Sequence, residues 1–190
     1  FVYTPASYEK YKDRRYPVLY LLHGNNDTAA GWTMVGSANF ILDNLIASGA
    51  AEEMIVVMPN GHAAPYGDRG NTELFSEYLL NDVMPMIEGK YRTAFGRDNR
   101  ALAGLSMGGG QAVYIGFNNL EKFSALAMFS GAVPRDFETS YASQLADPSD
   151  LNKLDALWIG CGTDDFLLDR NLEFGKILTD HGVNHTLRMT

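Results

Sequence analysis

The stretch ALAGLSMGGGQAV, residues 101–113, decides how this chain is read. Arg100 to Leu105 is a short apolar run of strand character, and Gly109 to Phe117 has helical character. Between them Ser106 is bracketed by Gly104 and Gly108, with Gly109 and Gly110 following. A strand that turns at once into a helix around Gly-x-Ser-x-Gly is the arrangement of a nucleophile elbow. The serine of such a turn is held in a strained backbone conformation, and close neighbours carrying a Cβ would collide with the adjoining strand and helix. The helix N-terminus presents backbone N–H groups and a positive dipole end to the hydroxyl, where an oxyanion develops during acyl transfer. A phosphate cradle on the same glycines would want Lys followed by Ser or Thr, and Gln111-Ala112 stand there instead. A glycine-rich turn that merely closes a βα unit is the structural alternative.

Outward from this turn, short β-rich runs alternate with longer stretches of helical periodicity, the pattern of a mostly parallel sheet. The near-continuous apolar runs 17–22, 54–59, 100–105, 123–129 and 154–160 read as strands buried on both faces. Helices are expected at 40–48, 73–89, 107–118 and 167–181. In the second, Leu74, Tyr78, Leu79, Val83, Met86 and Ile87 fall on one face, and Pro85 should kink or break it. Gly49 and Gly182 stand where helix C-terminal caps belong. No repeat or linker interrupts the order, so residues 1–190 read as one α/β domain with helices on both sheet faces. The connections 24–36, 60–72 and 131–150 are long. Two of them follow strands at the carboxyl edge, where open α/β sheets bind ligands.

Composition narrows the partners. The 15 Lys and Arg against 23 Asp and Glu give a net charge of -8, with no basic run, which argues against a nucleic-acid footprint or an anionic membrane surface. A single cysteine, Cys161, excludes an internal disulfide and any paired-thiol metal or redox motif. No apolar run approaches the ~20 residues of a membrane span. The oligomeric state is not legible.

An elbow serine needs a second oxyanion donor from the loop after an earlier strand. LLHGNNDTAAGW, residues 21–32, offers the backbone N–H of Asn25, with Asn26 as second choice. His23 reads as a loop-shaping imidazole bonded to backbone. Trp32 either walls the acyl pocket or belongs to the core. The acid of the set should follow the serine in chain order, and Asp164 and Asp165 lie on the turn after the strand ending at Gly160. Asp165 is preferred as the carboxylate that orients an imidazole, with its neighbour facing solvent or capping the next helix. A capping pair without catalytic duty is the alternative. The histidine should then follow one more helix and strand. His23 and His62 precede the serine, His181 ends a helix, and His185 starts the last strand instead of following it. The expected position lies just beyond Thr190, so the chain reads as cut at both ends, and the segment by itself is expected to be inactive.

VLYLLHG (18–24), MIVVMPNG (54–61), YLLNDVMPMIE (78–88), RALAGLSMGGGQAV (100–113), FSALAMFSGA (123–132) and LWIGCGTDDFLL (157–168) together resemble the esterase-D-like branch of the α/β-hydrolases. Within it the chain is most similar to carbohydrate esterase family 1, the feruloyl and acetyl xylan esterases. The resemblance implies Ser106 as nucleophile, Asp165 as triad acid, and Asn25 with Met107 as oxyanion donors. It also implies a histidine in a Gly-Gly-His loop soon after the strand matching HTLRM (185–189), no metal or organic cofactor, and a secreted or periplasmic enzyme acting on feruloyl or acetyl esters of xylan-type polysaccharide. Loops 60–72 and 131–150 are expected to shape the pocket, with Tyr66, Asp68 and Arg69 either sugar contacts or simply the polar residues of a surface loop. The competing expectations are an S-formylglutathione-type thioesterase, a siderophore esterase, or a non-catalytic carbohydrate-binding domain on the same scaffold.

Overall fold

A computed structural model describes residues 1–190. Seven strands form one sheet in the order β1-β3-β2-β4-β5-β6-β7. They are β1 (Val2–Tyr3), β2 (Val18–Leu22), β3 (Ile55–Val57), β4 (Arg100–Leu105), β5 (Ala125–Phe129), β6 (Ala156–Cys161) and β7 (Thr186–Met189). Every pairing is parallel except that of β1 with β3. The strand order reverses direction at β2, whose neighbours are β3 and β4, so the loops leaving β2 and β4 open a crevice at the carboxyl edge.

The helices are α1 (Gly31–Met34), α2 (Ala38–Ala47), α3 (Asn71–Tyr78), α4 (Met84–Lys90), α5 (Met107–Phe117), α6 (Phe137–Ser140), α7 (Ala142–Ala146) and α8 (Leu168–Asp180). Side chains that alternate along a strand part into two cores. Tyr20, Leu22, Leu102, Leu126 and Met128 point into a large cluster filled by Phe75 of α3, Ile115 of α5 and Phe174 of α8. Leu21, Val56 and Ala103 point the other way, into a small cluster capped by Ala38 of α2. Helices therefore cover both faces, but unequally.

That inequality corrects one expectation. β2 and β3 are buried almost throughout, whereas β5 alternates: Leu126 and Met128 are buried, and Ala125, Ala127 and Phe129 are only partly covered. The physical reason is that the α1–α2 layer buries Leu21, Val56 and Ala103 of β2, β3 and β4 but covers Ala127 and Phe129 of β5 only in part.

The proline helix also departs from its simplest reading. Pro85 cannot donate to the carbonyl four residues back, and its ring crowds that carbonyl. The chain absorbs this in a π-helical turn at Leu79–Val83, after which Pro85 sits in the first turn of α4. The buried stripe becomes Phe75, Leu79, Val83, Met84 and Ile87, while Leu74, Tyr78 and Met86 turn outward. No helix is long and apolar enough to cross a membrane.

Both glycine caps form. Gly49 and Gly182 have φ of 72° and 68°, and each closes a paired turn on its helix. Gly49 N–H donates to Ile46 O and Ala50 N–H to Leu45 O; Gly182 N–H donates to Thr179 O and Val183 N–H to Leu178 O.

Candidate active site

Ser106 is the single residue between β4 and α5, with φ 54° and ψ −112°. A non-glycine residue in this region costs about 1–3 kcal/mol and persists only where its surroundings hold it. They do so on both sides. Ser106 N–H donates to Phe129 O (2.9 Å), while Ser106 O accepts from Ala132 N–H (2.9 Å) and Gly110 N–H (3.0 Å). The turn is tight enough to dictate its neighbours. A Cβ on Gly104 would stand 2.3 Å from the Gly108 carbonyl, and one on Gly108 would stand 2.6 Å from His23 O.

The loop after β2 arrives directly beside this turn. A Cβ on Gly24 would lie 3.6 Å from the Cβ of Ser106, and Asn25 lines the same cleft as the serine. Neither the Asn25 nor the Met107 N–H has an acceptor within the protein. Two residues with free backbone N–H groups thus line the cleft that holds Ser106, one from the loop and one from the first turn of α5, whose dipole adds positive potential there.

His23 explains why the loop takes this course. Its imidazole is 1% exposed. Nδ1–H donates to Gly24 O (2.8 Å) and Nε2 accepts from Gly61 N–H (2.9 Å), which fixes the tautomer. It is a shaping residue, as the sequence suggested. Gly61 O in turn accepts from Gln111 Nε2 (3.0 Å) and Asn71 Nδ2 (2.9 Å), and Asn71 Oδ1 accepts from the N–H groups of Ala63 and Ala64. The buried amide of Gln111 and the partly buried amide of Asn71 thereby tie the 60–72 loop to the helix that starts at the serine.

The resulting cleft has a volume of about 410 Å³. Asn25, Ser106, Met107 and Gln111 lie along one side; Arg69, Thr72 and Glu73 come from the second loop and α3; Ala132 and Pro134 come from the third. Both loops named from the sequence contribute. Of the three suggested sugar contacts only Arg69 lines the cleft: Tyr66 bonds to Asn25 and Asn26, and Asp68 accepts from Gly70 N–H. Trp32 lies on the other sheet face, donating to Leu22 O (3.0 Å) and resting on Phe129, so it belongs to the small core. Gln111 and Tyr114 were missed. Their spacing of four and seven from Met107 puts all three on one face of α5, a signal available in the sequence.

A second hollow of about 190 Å³ adjoins the cleft, sharing Glu73, Tyr114 and Pro134 with it and adding Phe137 and Tyr141. Burial pushes the Tyr141 phenol up to about 12; a bond from Asn118 opposes this, and Tyr114, Asp136 and Glu73 add to it. The hollow is thus aromatic-walled with a negative rim.

Asp165 stands at the carboxyl end of the sheet after β6, two strands across from Ser106. It is half-buried, and its Oδ1 accepts from Leu167 N–H (2.8 Å) just before α8; Asp164 is exposed. Asp165 does not line the serine cleft. None of the four histidines bonds to Ser106. His62 Nε2 bonds to Asn25 O (2.7 Å), His181 to Glu138 (3.2 Å) and His185 Nδ1 to Val183 O (2.9 Å), with His23 engaged as above.

Residues 1–176 match the family described as putative esterase. The chain belongs to this esterase family. It is 35% identical over 168 residues to an endo-1,4-beta-xylanase/feruloyl esterase of Xylanibacter ruminicola, covering 85% of this chain and 22% of that protein. The chain thus spans about a fifth of that curated relative. A solved ferulic acid esterase is 33% identical with a TM-score of 0.84, over 99% of this chain and 81% of that one. The S-formylglutathione hydrolase of Staphylococcus aureus shares the fold at 20% identity, with a TM-score of 0.75 over 95% of this chain and 76% of that one. The esterase fold is that of the α/β-hydrolases, as the sheet order and the serine turn indicated.

Proposed function

We propose that this esterase-family chain is a serine carboxylic-ester hydrolase working through an acyl-enzyme. What supports the reading is the strained Ser106 in a cleft also lined by Asn25 and Met107, whose N–H groups have no acceptor within the protein. Ser106 Oγ attacks the ester carbonyl as an imidazole takes its proton. The tetrahedral oxyanion is held by the two N–H groups, and the alcohol leaves with the proton. Water then repeats the sequence on the acyl-serine, releasing the acid and restoring Ser106. Asp165 is proposed to orient the imidazole. Because the four histidines of residues 1–190 are engaged elsewhere, the base is assigned to sequence following Thr190.

The proposed substrates are feruloyl or acetyl esters on xylan-type polysaccharide, met outside the cytoplasm, with no metal or organic cofactor. The names of the two feruloyl esterase relatives support this. So does the hollow walled by Tyr114, Phe137 and Tyr141, which suits an aromatic acyl group better than a formyl group.

The test is hydrolysis of methyl ferulate and p-nitrophenyl acetate by residues 1–190 and by the chain continued through its native following sequence. The continued chain should turn over both esters, and Ser106→Ala should abolish this. Residues 1–190 alone should be slower by about 10⁶, the cost of losing a triad base. Equal activity of wild type and Ser106→Ala would overturn the reading.

A further inference from the structure

We propose that His62 is a positioning residue for the oxyanion loop, holding the carbonyl next to the one His23 holds so that the Asn25 N–H stays aimed at the reacting oxygen. This rests on the esterase reading of Ser106.

The argument starts from the peptide units of the loop. The Asn25 N–H belongs to the peptide whose carbonyl is Gly24 O, clamped by His23 Nδ1–H at 2.8 Å. The next carbonyl, Asn25 O, lies 2.7 Å from His62 Nε2. A carbonyl only accepts, so Nε2 carries the proton and donates. Two successive peptide planes are therefore each pinned by an imidazole, and the rings lie against each other with centroids 5.4 Å apart. The Asn25 N–H lies in the first of these planes, and pinning the second restrains φ and ψ at Asn25, so the first plane cannot swing without straining a bond to an imidazole.

A second anchor acts on the side chains of Asn25 and Asn26. Tyr66 OH donates to Asn26 Oδ1 (2.7 Å) and accepts from Asn25 Nδ2 (3.1 Å), and its ring lies 6.1 Å from that of His62. His62 and Tyr66 both come from the 60–72 loop, so this loop shapes the cleft and also braces the strand-β2 loop from outside. The two anchors differ in burial: His23 is enclosed, whereas His62 is half-exposed and Tyr66 is 71% exposed. Neither of these two belongs to either core cluster, so their placement is not explained by packing.

An oxyanion donor acts only in the transition state, so a loosened donor lowers kcat and leaves KM in place. Removing such a donor outright costs 10²–10³ in kcat elsewhere. Losing one of its braces should cost about tenfold.

The test measures kcat and KM for p-nitrophenyl acetate in the full-length protein for wild type, His62→Ala, His62→Gln, Tyr66→Phe and Ser106→Ala, with Tm for each. Gln places an amide N–H near the position of Nε2. The expected result is a kcat about tenfold lower for His62→Ala at unchanged KM and Tm, and recovery to within about threefold in His62→Gln. Tyr66→Phe should fall in the same direction as His62→Ala. An unchanged kcat in His62→Ala, a change confined to KM, or failure of Gln to recover kcat at wild-type Tm would overturn the proposal. Should His62→Ala fail to fold, Tyr66→Phe and His62→Gln decide it by the same kcat criterion. If Ser106→Ala retains wild-type turnover, or the wild type has none, the esterase reading itself falls and the brace with it.

Discussion

Gly104 and Gly108 touch backbone to backbone across the Ser106 turn, leaving only 2.3 Å between a Cβ on the first and the carbonyl of the second. Neither side of this contact is a flexible side chain that can swing away. Gly104→Ala and Gly108→Ala should each destabilise the fold by roughly 3 kcal/mol, the upper end for overpacking a filled interior. Urea unfolding followed by circular dichroism checks this. A loss under about 0.5 kcal/mol, the scatter of ordinary surface changes, would mean the turn is looser than described.

The two carboxylates after β6 separate by role. If Asp165 orients the base, Asp165→Asn should lower kcat for p-nitrophenyl acetate by about 10⁴ in the full-length protein, as loss of a triad carboxylate does elsewhere. Asp164→Asn, at an exposed position, should leave it within about twofold. The reverse pattern would move the acid to Asp164.

Tyr20 is fully buried, yet its hydroxyl has no hydrogen-bond partner. An unpaired buried hydroxyl is a net cost, so Tyr20→Phe should leave stability unchanged or raise it by up to about 1 kcal/mol. Thermal and urea unfolding would show it. A clear loss would place a partner on that oxygen in solution.

Alkaline pH should weaken the fold. Tyr141 is raised from an ordinary value of 10.0 to about 12, chiefly by burial, and burial pushes Tyr20 up as well. Each group favours its neutral form in the folded state, so its contribution is whole below about pH 10 and is lost as the pH climbs toward the folded value. Urea midpoints should hold steady from pH 7 to 9 and fall by pH 11. In Tyr141→Phe the fall should be shallower, whatever its starting stability.

How far the sequence could be read follows from which interactions are local. The Ser106 turn and the caps at Gly49 and Gly182 were legible because each is decided within a few residues, by where a Cβ or a positive φ can be tolerated. The one-sided burial of β5 was written in ALAMF, where small and large residues alternate, but an unbroken apolar run hides the distinction between small and exposed. The π-helical turn before Pro85 was foreseen only as a disturbance, since a proline can be met by a kink, a break or a wider turn. The tie of His62 to Asn25 was out of reach, because it joins loops 37 residues apart whose paths depend on His23, Gln111 and Asn71. Asp165 sits between these cases. Its place after a late strand was readable, but its service to an imidazole depends on a partner side chain and stays a proposal.

The unequal covering of the sheet has a spectroscopic consequence. Both tryptophans of the chain, Trp32 and Trp158, lie on the thinly covered face, each against Phe129, with ring centroids 5.8 Å and 5.2 Å away. Neither lines the serine cleft or the adjoining hollow. Indole emission therefore watches the sheet face on which α1 and α2 lie, Trp32 from within that layer and Trp158 from beside it, and is nearly blind to a ligand in the cleft. A fluorescence midpoint that comes before the loss of helical ellipticity would time the lifting of that one layer, and a titration with an ester analogue would need a signal from elsewhere in the molecule.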